Sequence, residues 1–391
     1  MTDETLPGPC YDDRPAGSDS PTAFEKNIDE IVALTQSMIR FRSTATRPDQ
    51  IRACADFIES YLQQNGIAYR RENHAGIPNI LVMPEAGHAP VLFMAHMDVV
   101  DGPDALFQPV VRNGRLYGRG SIDDKYAVAL TLVLAKNWMG RLPGRGPAAM
   151  PFGILITGDE ESGGANGAAR MLGNIHADFA IALDGGSPAK IVVKEKGILR
   201  LRLVCHGKTA HGSRPWLGIN AIDRLIGDYL AIHPLFSTPP DDNGEHWHRT
   251  LNFGMLHAGQ AANQVPDRAE AVFDIRYTED DDIDVLLEQL RSTVNGEVTV
   301  EAREPLFTSA PSRYLDALLA LAGPETRTGC EHGASDARYL AAHGIPAVVW
   351  GAAGEMSQHA ADEHLCIDSA GTLYRILDAF LAQVAAPDFG K

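Results

Sequence analysis

Apolar residues recur at helical spacing in PTAFEKNIDEIVALTQSMIRF and in QIRACADFIESYLQQNG, which predicts two surface helices at the start of the fold. Short β-type runs follow, separated by polar turns: IPNILVM, PVLFMAH, FGILITG and DFAIALD. Runs this apolar suit strands buried on both faces, as in a sheet covered by helices. Between them YAVALTLVLAKNWM and ANGAARMLGNI predict helices, which gives an α/β layer structure up to about Gly197. The first of these belongs to the longest apolar stretch of the chain. Lys136 interrupts it, so it reads as amphipathic and falls short of a membrane span.

From Ile198 the period changes. ILRLRLVCHG, TLNFGMLHAG and AEAVFDIRYT alternate, while INAIDRLIGDYLAI and DIDVLLEQLRSTV are helical, the pattern of an α+β module with one solvated sheet face. After about Arg303 the α/β texture returns in SRYLDALLALAG, SDARYLAAHG, IPAVVWG and TLYRILDAFLAQVA. The expected organisation is therefore a discontinuous domain of residues 25–197 and 304–391, with residues 198–303 inserted into it. Residues 1–24 read as a flexible tail and PPDDNGEHWH, near residue 240, as an exposed loop.

Composition narrows the function classes. The 391 residues carry 51 Asp+Glu against 34 Lys+Arg, a formal net charge of -17, which disfavours a nucleic-acid groove. Hydrophobic residues at 45% leave ample surface for a core. The amino terminus has neither the basic start nor the apolar segment of a secretory signal. Cys10, Cys54, Cys205, Cys330 and Cys366 are far apart and form no CxxC pair, which fits reduced thiols and a cytoplasmic location.

Candidate chemistry gathers where the apolar runs end. His96 and Asp98 close VLFMAHMD, and alternate residues of a strand share a face, so their side chains meet at its carboxyl end. Open α/β sheets bind ligands at that edge, although a core histidine satisfied by its neighbour would look the same. In GRGSIDDKYAVAL, Asp124 fits a helix-capping acid, whereas Asp123, held in the tight turn, is suited to bridge two metal ions. FGILITGDEESGG brings three consecutive acids, Glu160 and Glu161 among them, to a strand end, where like charges repel unless solvated, protonated or held on cations. Asp184 ends DFAIALD in the same way. GAAGEMSQHAADEH adds His359 in a Gly-rich loop, with His364 as a local competitor. Imidazoles and carboxylates together suit zinc, with cobalt or manganese as alternatives. Paired ions about 3.5–4 Å apart can clamp a carbonyl and activate water. Other chemistries lack their motifs: GKT at Gly207 to Thr209 has Arg202 where a phosphate loop needs Gly, and GxSxG, HExxH and GxGxxG are absent.

In order along the chain, HMD, GRGSIDDK, GDEESGG, ALDGGSP, GKTAHGSRPWLGINAI, NQVPDRAEAVFDIR, GASDARY and QHAADEH resemble one family of dizinc hydrolases. It includes acetylornithine deacetylase, succinyl-diaminopimelate desuccinylase, aminoacylase and carnosinase-type dipeptidases. The resemblance covers nearly the whole chain after about residue 25. It implies an α/β/α catalytic domain on a mixed sheet, of the aminopeptidase-like (phosphorylase/hydrolase-like) kind, with an inserted α+β ferredoxin-like dimerisation lid. Two zinc ions are implied, with Asp123 bridging, His96 and Asp184 completing one site, and Glu161 and His359 the other. Glu160 is the implied general base and Asp98 the carboxylate that orients His96. His211 is the implied oxyanion donor, reaching over from the partner subunit of a homodimer. Asn263, Arg276, Ser335 and Arg338 match substrate-binding positions, although Arg276 could instead pair with a lid acid and Arg338 could be a helix-surface charge. A cis peptide between Asp123 and Asp124 is implied as well.

The expected activity is hydrolysis of an amide bond in a small peptide or N-acyl amino acid. Asp184 stands where many deacylases of the family carry Glu, which points to a di- or aminopeptidase. The lid and the GASDARY segment look equally like the deacetylase and desuccinylase branch. A catalytically silent protein that binds metal or peptides is the contrasting class, and the intact ligand set with Glu160 argues against it.

Overall fold

The computed structural model describes residues 22–84, 87–141, 150–237 and 246–389. Most of the expected tail, and most of the PPDDNGEHWH loop, lie outside the described residues. The last residues assigned to the tail are helical: Ala23–Ile39 is a helix opened by a capping box, in which Thr22 Oγ1 accepts from the Glu25 amide and the Glu25 carboxylate accepts from the Thr22 amide. The chain divides into two compact units, one of Met1–Val193, Ser309–Gly329 and Ser335–Lys391, the other of Lys194–Thr308 and Cys330–Ala334.

The first unit is built on a mixed sheet. Strand His88–His96 runs parallel to Phe152–Thr157 on one side and to His176–Ala182 on the other, and Ala347–Val349 lies parallel beyond the latter. Ile77–Val82 and Arg70–His74 extend the opposite side in antiparallel fashion. Phe152–Thr157 is buried at every position, as its unbroken apolar run implies. The register sets His96 beside Thr157 and Met94 beside Ala182. Residues just past these strand ends therefore collect on one edge of the sheet.

Helix Lys125–Arg141 differs from the amphipathic helix expected there. Every residue from Lys125 to Ala135 is buried, because the helix packs against strand His88–His96 and helices Ala23–Ile39 and Ile367–Val384. A helix enclosed in this way needs an apolar surface all round, which AVALTLVLA supplies. Its buried Lys125 donates to the carbonyls of Met38 (3.0 Å) and Phe41 (2.8 Å) at the carboxyl end of helix Ala23–Ile39.

A small sheet of Val110–Arg112, Arg115–Tyr117 and His364–Cys366 completes this unit. Its hairpin turns at Asn113 and Gly114, with φ of 50° and 68°, the left-handed pair a two-residue turn requires. The Asn-Gly dipeptide was its signal in the sequence.

The second unit is a four-stranded antiparallel sheet in the order Thr250–Ala258, Arg268–Tyr277, Gly197–His206, Glu297–Glu304. Helices Ala221–Ile232 and Ile283–Thr293 share a core with Leu199, Leu201, Leu203 and Cys205. The alternate residues Arg200 and Arg202 pair instead with Asp274, Glu270 and Glu301. The succession β-α-β-β-α-β is that of a split βαβ, ferredoxin-like module.

Leu132 is fully buried in the enclosed helix. Leu132→Ala should destabilise the first unit by about 2–5 kcal/mol, read as a lowered denaturant midpoint; an unchanged midpoint would contradict the packing described.

Candidate metal centre

Four strand ends and one helix mouth deliver side chains to the edge of the mixed sheet. His96 ends strand His88–His96, Glu160 and Glu161 occupy the turn after Phe152–Thr157, Asp184 follows His176–Ala182, and His359 lies in the loop after Ala347–Val349. Asp123 comes from the turn before Lys125–Arg141, and its peptide bond to Asp124 is cis.

The two oxygens of Asp123 face different partners. Oδ1 lies 3.0 Å from His96 Nε2, which is 3.8 Å from Asp184 Oδ1. Oδ2 lies 3.1 Å from His359 Nε2, which is 3.2 Å from Glu161 Oε2. His96, Asp123 and Asp184 thus form one trio with donor atoms within 4.8 Å of one another, and Asp123, Glu161 and His359 form a second. His96 Nδ1 is 3.0 Å from the main-chain carbonyl of Asp98. A carbonyl only accepts, so Nδ1 carries the proton and Nε2 is the nitrogen turned toward Asp123.

The electrostatics ask for positive charge at this point. Burial pulls the pKa of His96 down, but Asp123, Asp184 and Asp98 overcome it and hold it well above the usual imidazole value. Hydrogen bonds to Asp123 and Glu161 raise His359 to about 10. Burial raises Asp184 to about 6 against the pull of His96, and burial followed by the charges of Asp184 and Asp336 holds Glu160 well above its ordinary value. Protons or divalent cations can supply the missing charge. Two imidazoles and three carboxylates, one of them shared, are a donor set that fits paired ions of the zinc class.

A model of peptidase family M20/M25/M40 matches residues 92–383. The chain belongs to this family. It is a metal-dependent hydrolase of the metallopeptidase and amidohydrolase kind. It is 30% identical over 303 residues to the succinyl-diaminopimelate desuccinylase of Rhodospirillum centenum, covering 70% of this chain and 76% of that protein. To the protein of the same name from Halorhodospira halophila it is 26% identical over 360 residues, covering 85% and 93%. Its fold is similar to that of an M20 family metallo-carboxypeptidase from Sulfolobus solfataricus, with a TM-score of 0.74 at 20% identity over 91% of this chain and 99% of that one.

Around this M20 centre the carboxylate of Asp98 has contacts beyond the orienting role expected of it. It lies 3.5 Å from His96 Nδ1, while its two oxygens accept from the amides of Glu160 (3.2 Å) and Glu161 (3.1 Å). Asp98 therefore orients His96 through its carbonyl and fixes the glutamate turn through its side chain. Asp124, read from sequence as a helix cap, is fully buried and accepts from the His96 amide at 3.3 Å.

Two residues given no role from sequence brace the M20 centre. Buried Glu363 ion-pairs with Arg119 and accepts from the Gly120 amide at 2.8 Å, and Arg119 Nη2 donates to the His359 carbonyl at 3.1 Å. The pair ties the turn before Asp123 to the loop that carries His359. Burial, then the charge of Asp123, raises Glu363 to about 7. The only trace in the sequence is a charged residue inside each of the motifs GRGSIDDK and QHAADEH.

Arg338 is buried rather than a helix-surface charge, with Nη1 3.4 Å from Glu160 Oε1 and Nη2 3.7 Å from Asp336 Oδ1. The Ser335 hydroxyl accepts from the Ala337 amide at 3.3 Å. His211, Asn263 and Arg276 belong to the second unit. His211 Nδ1 accepts from the Ser213 amide at 3.1 Å, and the neighbouring Gly212 amide donates to the Asn263 carbonyl at 2.6 Å, so His211 and Asn263 are held close on exposed chain. Arg276 pairs with Asp274 at 2.6 Å, the lid-acid alternative open in the sequence.

At pH 7 the ion-free protein keeps His96 and His359 protonated, since both pKa values are raised. A metal ion held there would displace those protons, so its binding would release protons and strengthen with pH. Titration calorimetry in buffers of different ionisation enthalpy should show about one to two protons released per chain; a release of none would contradict this ligand set.

Proposed function

We propose that the chain hydrolyses the amide bond of a small peptide or N-acyl amino acid at a pair of zinc ions, with cobalt or manganese as alternatives. His96 and Asp184 would hold one ion, Glu161 and His359 the other, and Asp123 both. The supporting observation is the division of the two Asp123 oxygens between the two trios. Bound there, paired ions supply polarisation of a carbonyl and acidification of water at neutral pH. Glu160 sits in the same turn as Glu161, with Arg338 beside its carboxylate. As general base it takes a proton from the attacking water and returns it to the departing amine. Asp98 keeps both glutamates in place through their amides.

In this reading residues 198–303, which lie within the second unit, are a dimerisation lid. His211 donates to the oxyanion from the partner subunit, Asn263 and Ser335 contact substrate, and Arg276 exchanges Asp274 for a substrate carboxylate. A second copy of the chain is the partner that the exposed surface of this unit fits. Edge strand Thr250–Ala258 exposes Met255 and Leu256, and helix Ala221–Ile232 exposes Ile226 and Leu230. An unpaired strand edge carrying apolar side chains is the kind of surface that two-fold association covers. No helix among the described residues is long and apolar enough to cross a membrane. The proposed cytoplasmic location rests on the spacing of the cysteines.

Two observations bear on the substrate. Asp184 favours a di- or aminopeptidase, and the names of the curated relatives favour an N-acyl amino acid deacylase of the desuccinylase type. A hydrolysis screen of free dipeptides beside N-acetyl and N-succinyl amino acids separates them by the class that turns over about tenfold or more faster. Turnover of none by zinc-loaded protein would refute the proposed substrate classes. In the same screen Glu160→Ala should keep fold and zinc content while kcat falls about 10²–10⁴-fold. Mixing inactive His211→Ala with inactive Glu160→Ala should restore partial activity in heterodimers. Heterodimers without recovery would refute the action of His211 across the interface.

A further inference from the structure

The loop that delivers His359 ends in a second cluster of ligating side chains, which the centre at Asp123 does not use. Glu355, His364 and Cys366 each place one donor atom within 4.8 Å of the others. His364 and Cys366 are alternate residues of strand His364–Cys366 and share a face. Their register partners are Tyr117 and Arg115. Glu355 reaches them from the preceding loop, where its own φ is 52°.

The imidazole of His364 is set as a ligand. Nδ1 lies 2.9 Å from the Asp362 carbonyl and must donate to it, which leaves Nε2 facing Glu355 Oε2 at 3.2 Å. His96 shows the same arrangement at the main centre, with Nδ1 on a main-chain carbonyl two residues away and Nε2 on a carboxylate. The Tyr117 ring, with centroids 5.2 Å apart, holds the plane of His364. Cys366 adds a third donor, with Sγ 3.8 Å from Glu355 Oε1. Ligand atoms on a tetrahedral zinc, bonded at about 2.0–2.3 Å, stand about 3.3–3.6 Å apart. The distances from the two Glu355 oxygens to the imidazole and the thiol, 3.2 and 3.8 Å, lie on either side of that range.

Arg115 ion-pairs with Glu355 Oε1 and offsets the charge that a thiolate and a carboxylate would bring to one ion. Burial, then the Glu355 charge, raises the Cys366 thiol above its ordinary value, so coordination would release its proton. Glu355 is half exposed, which gives an ion a route in from solvent.

We propose that Glu355, His364 and Cys366 form a further binding site for a divalent cation of the zinc class, which tethers the 355–366 segment. This site stands apart from the reading of the centre at Asp123 and does not depend on it. Its consequence is structural: Met356 and His359 also hold left-handed φ values, 59° and 62°, and an ion at the end of the loop would fix the backbone that presents His359.

The test is cobalt substitution in the full chain. The centre at Asp123 offers only nitrogen and oxygen donors, so a thiolate-to-cobalt charge-transfer absorption reports on the Cys366 cluster. The wild-type protein should show the band and Cys366→Ser should lack it, with one zinc equivalent fewer per chain by elemental analysis. Both readouts are differences, so they hold whatever number of ions the main centre takes. If Cys366→Ser does not fold, His364→Gln decides, and it should weaken the cobalt titration of the band by about tenfold or more. No band in wild-type protein, a band that survives Cys366→Ser, or an unweakened titration in His364→Gln would overturn the site and leave only a hydrogen-bonded network of Glu355, Arg115 and His364.

Discussion

One carboxylate has to serve two imidazoles at once, and the first unit is arranged around that requirement. Asp123 presents an oxygen to His96 on one side and an oxygen to His359 on the other, each at about 3 Å. A shared ligand leaves little tolerance, because a shift that improves one contact worsens the other. The chain meets this by rooting Asp123 at the mouth of its most enclosed helix and clamping the turn before it with Arg119 and Glu363. The other ligands are placed by adjacent strands of one sheet, whose parallel register brings their ends level. Fold and site are thus the same construction: the sheet exists as a stack of apolar runs, and the site is what stands where those runs stop.

That relation explains what could be read without coordinates. Strands buried on both faces must be apolar throughout, so a His, Asp or Glu at the end of VLFMAH, FGILIT or DFAIAL stood out against its surroundings. The mixed sheet follows from that contrast, while the grouping of the ligands was implied by the family resemblance that the motifs carry. Contacts made by the main chain were not legible. The Asp98 carbonyl that fixes the His96 tautomer would be there with any residue at position 98, so side-chain identity carries no record of it. The Arg119–Glu363 pair joins segments 244 residues apart, beyond any local pattern. The hairpin at Asn113–Gly114 was legible in principle, since that dipeptide is a direct turn signal, and it matters because it positions the face that His364 joins. Helix Lys125–Arg141 defied expectation because a single lysine near its end suggested a wet face, whereas Lys136 instead ion-pairs with Glu30.

The acidity of the chain takes on a different meaning at the sheet edge. Asp98, Asp123, Asp124, Asp159, Asp336 and Glu363 are all buried in the first unit, and burying carboxylates is costly unless they are paired or protonated. Glu363 and Asp336, both raised to about 7 chiefly by burial, illustrate the cost. Their pKa values in the folded state lie above the unfolded ones. In ion-free protein the stability linked to them is therefore fully present below about pH 4 and is lost as pH rises through about 7. Cations that bind only the folded chain oppose that loss by mass action. The edge proposed to perform the chemistry would then also be a part of the fold that bound ions stabilise.

The two imidazoles of the proposed centre are unequally buried. The His96 side chain is 2% exposed and ends a strand flanked by two others, so its position is fixed by the sheet. The His359 side chain is 53% exposed on a loop with left-handed backbone, where local fluctuation is enough to move it. In the proposed centre an ion beside His359 would be held by a ligand that moves with its loop, and one beside His96 by a ligand set in the sheet. Asp123 would join the two.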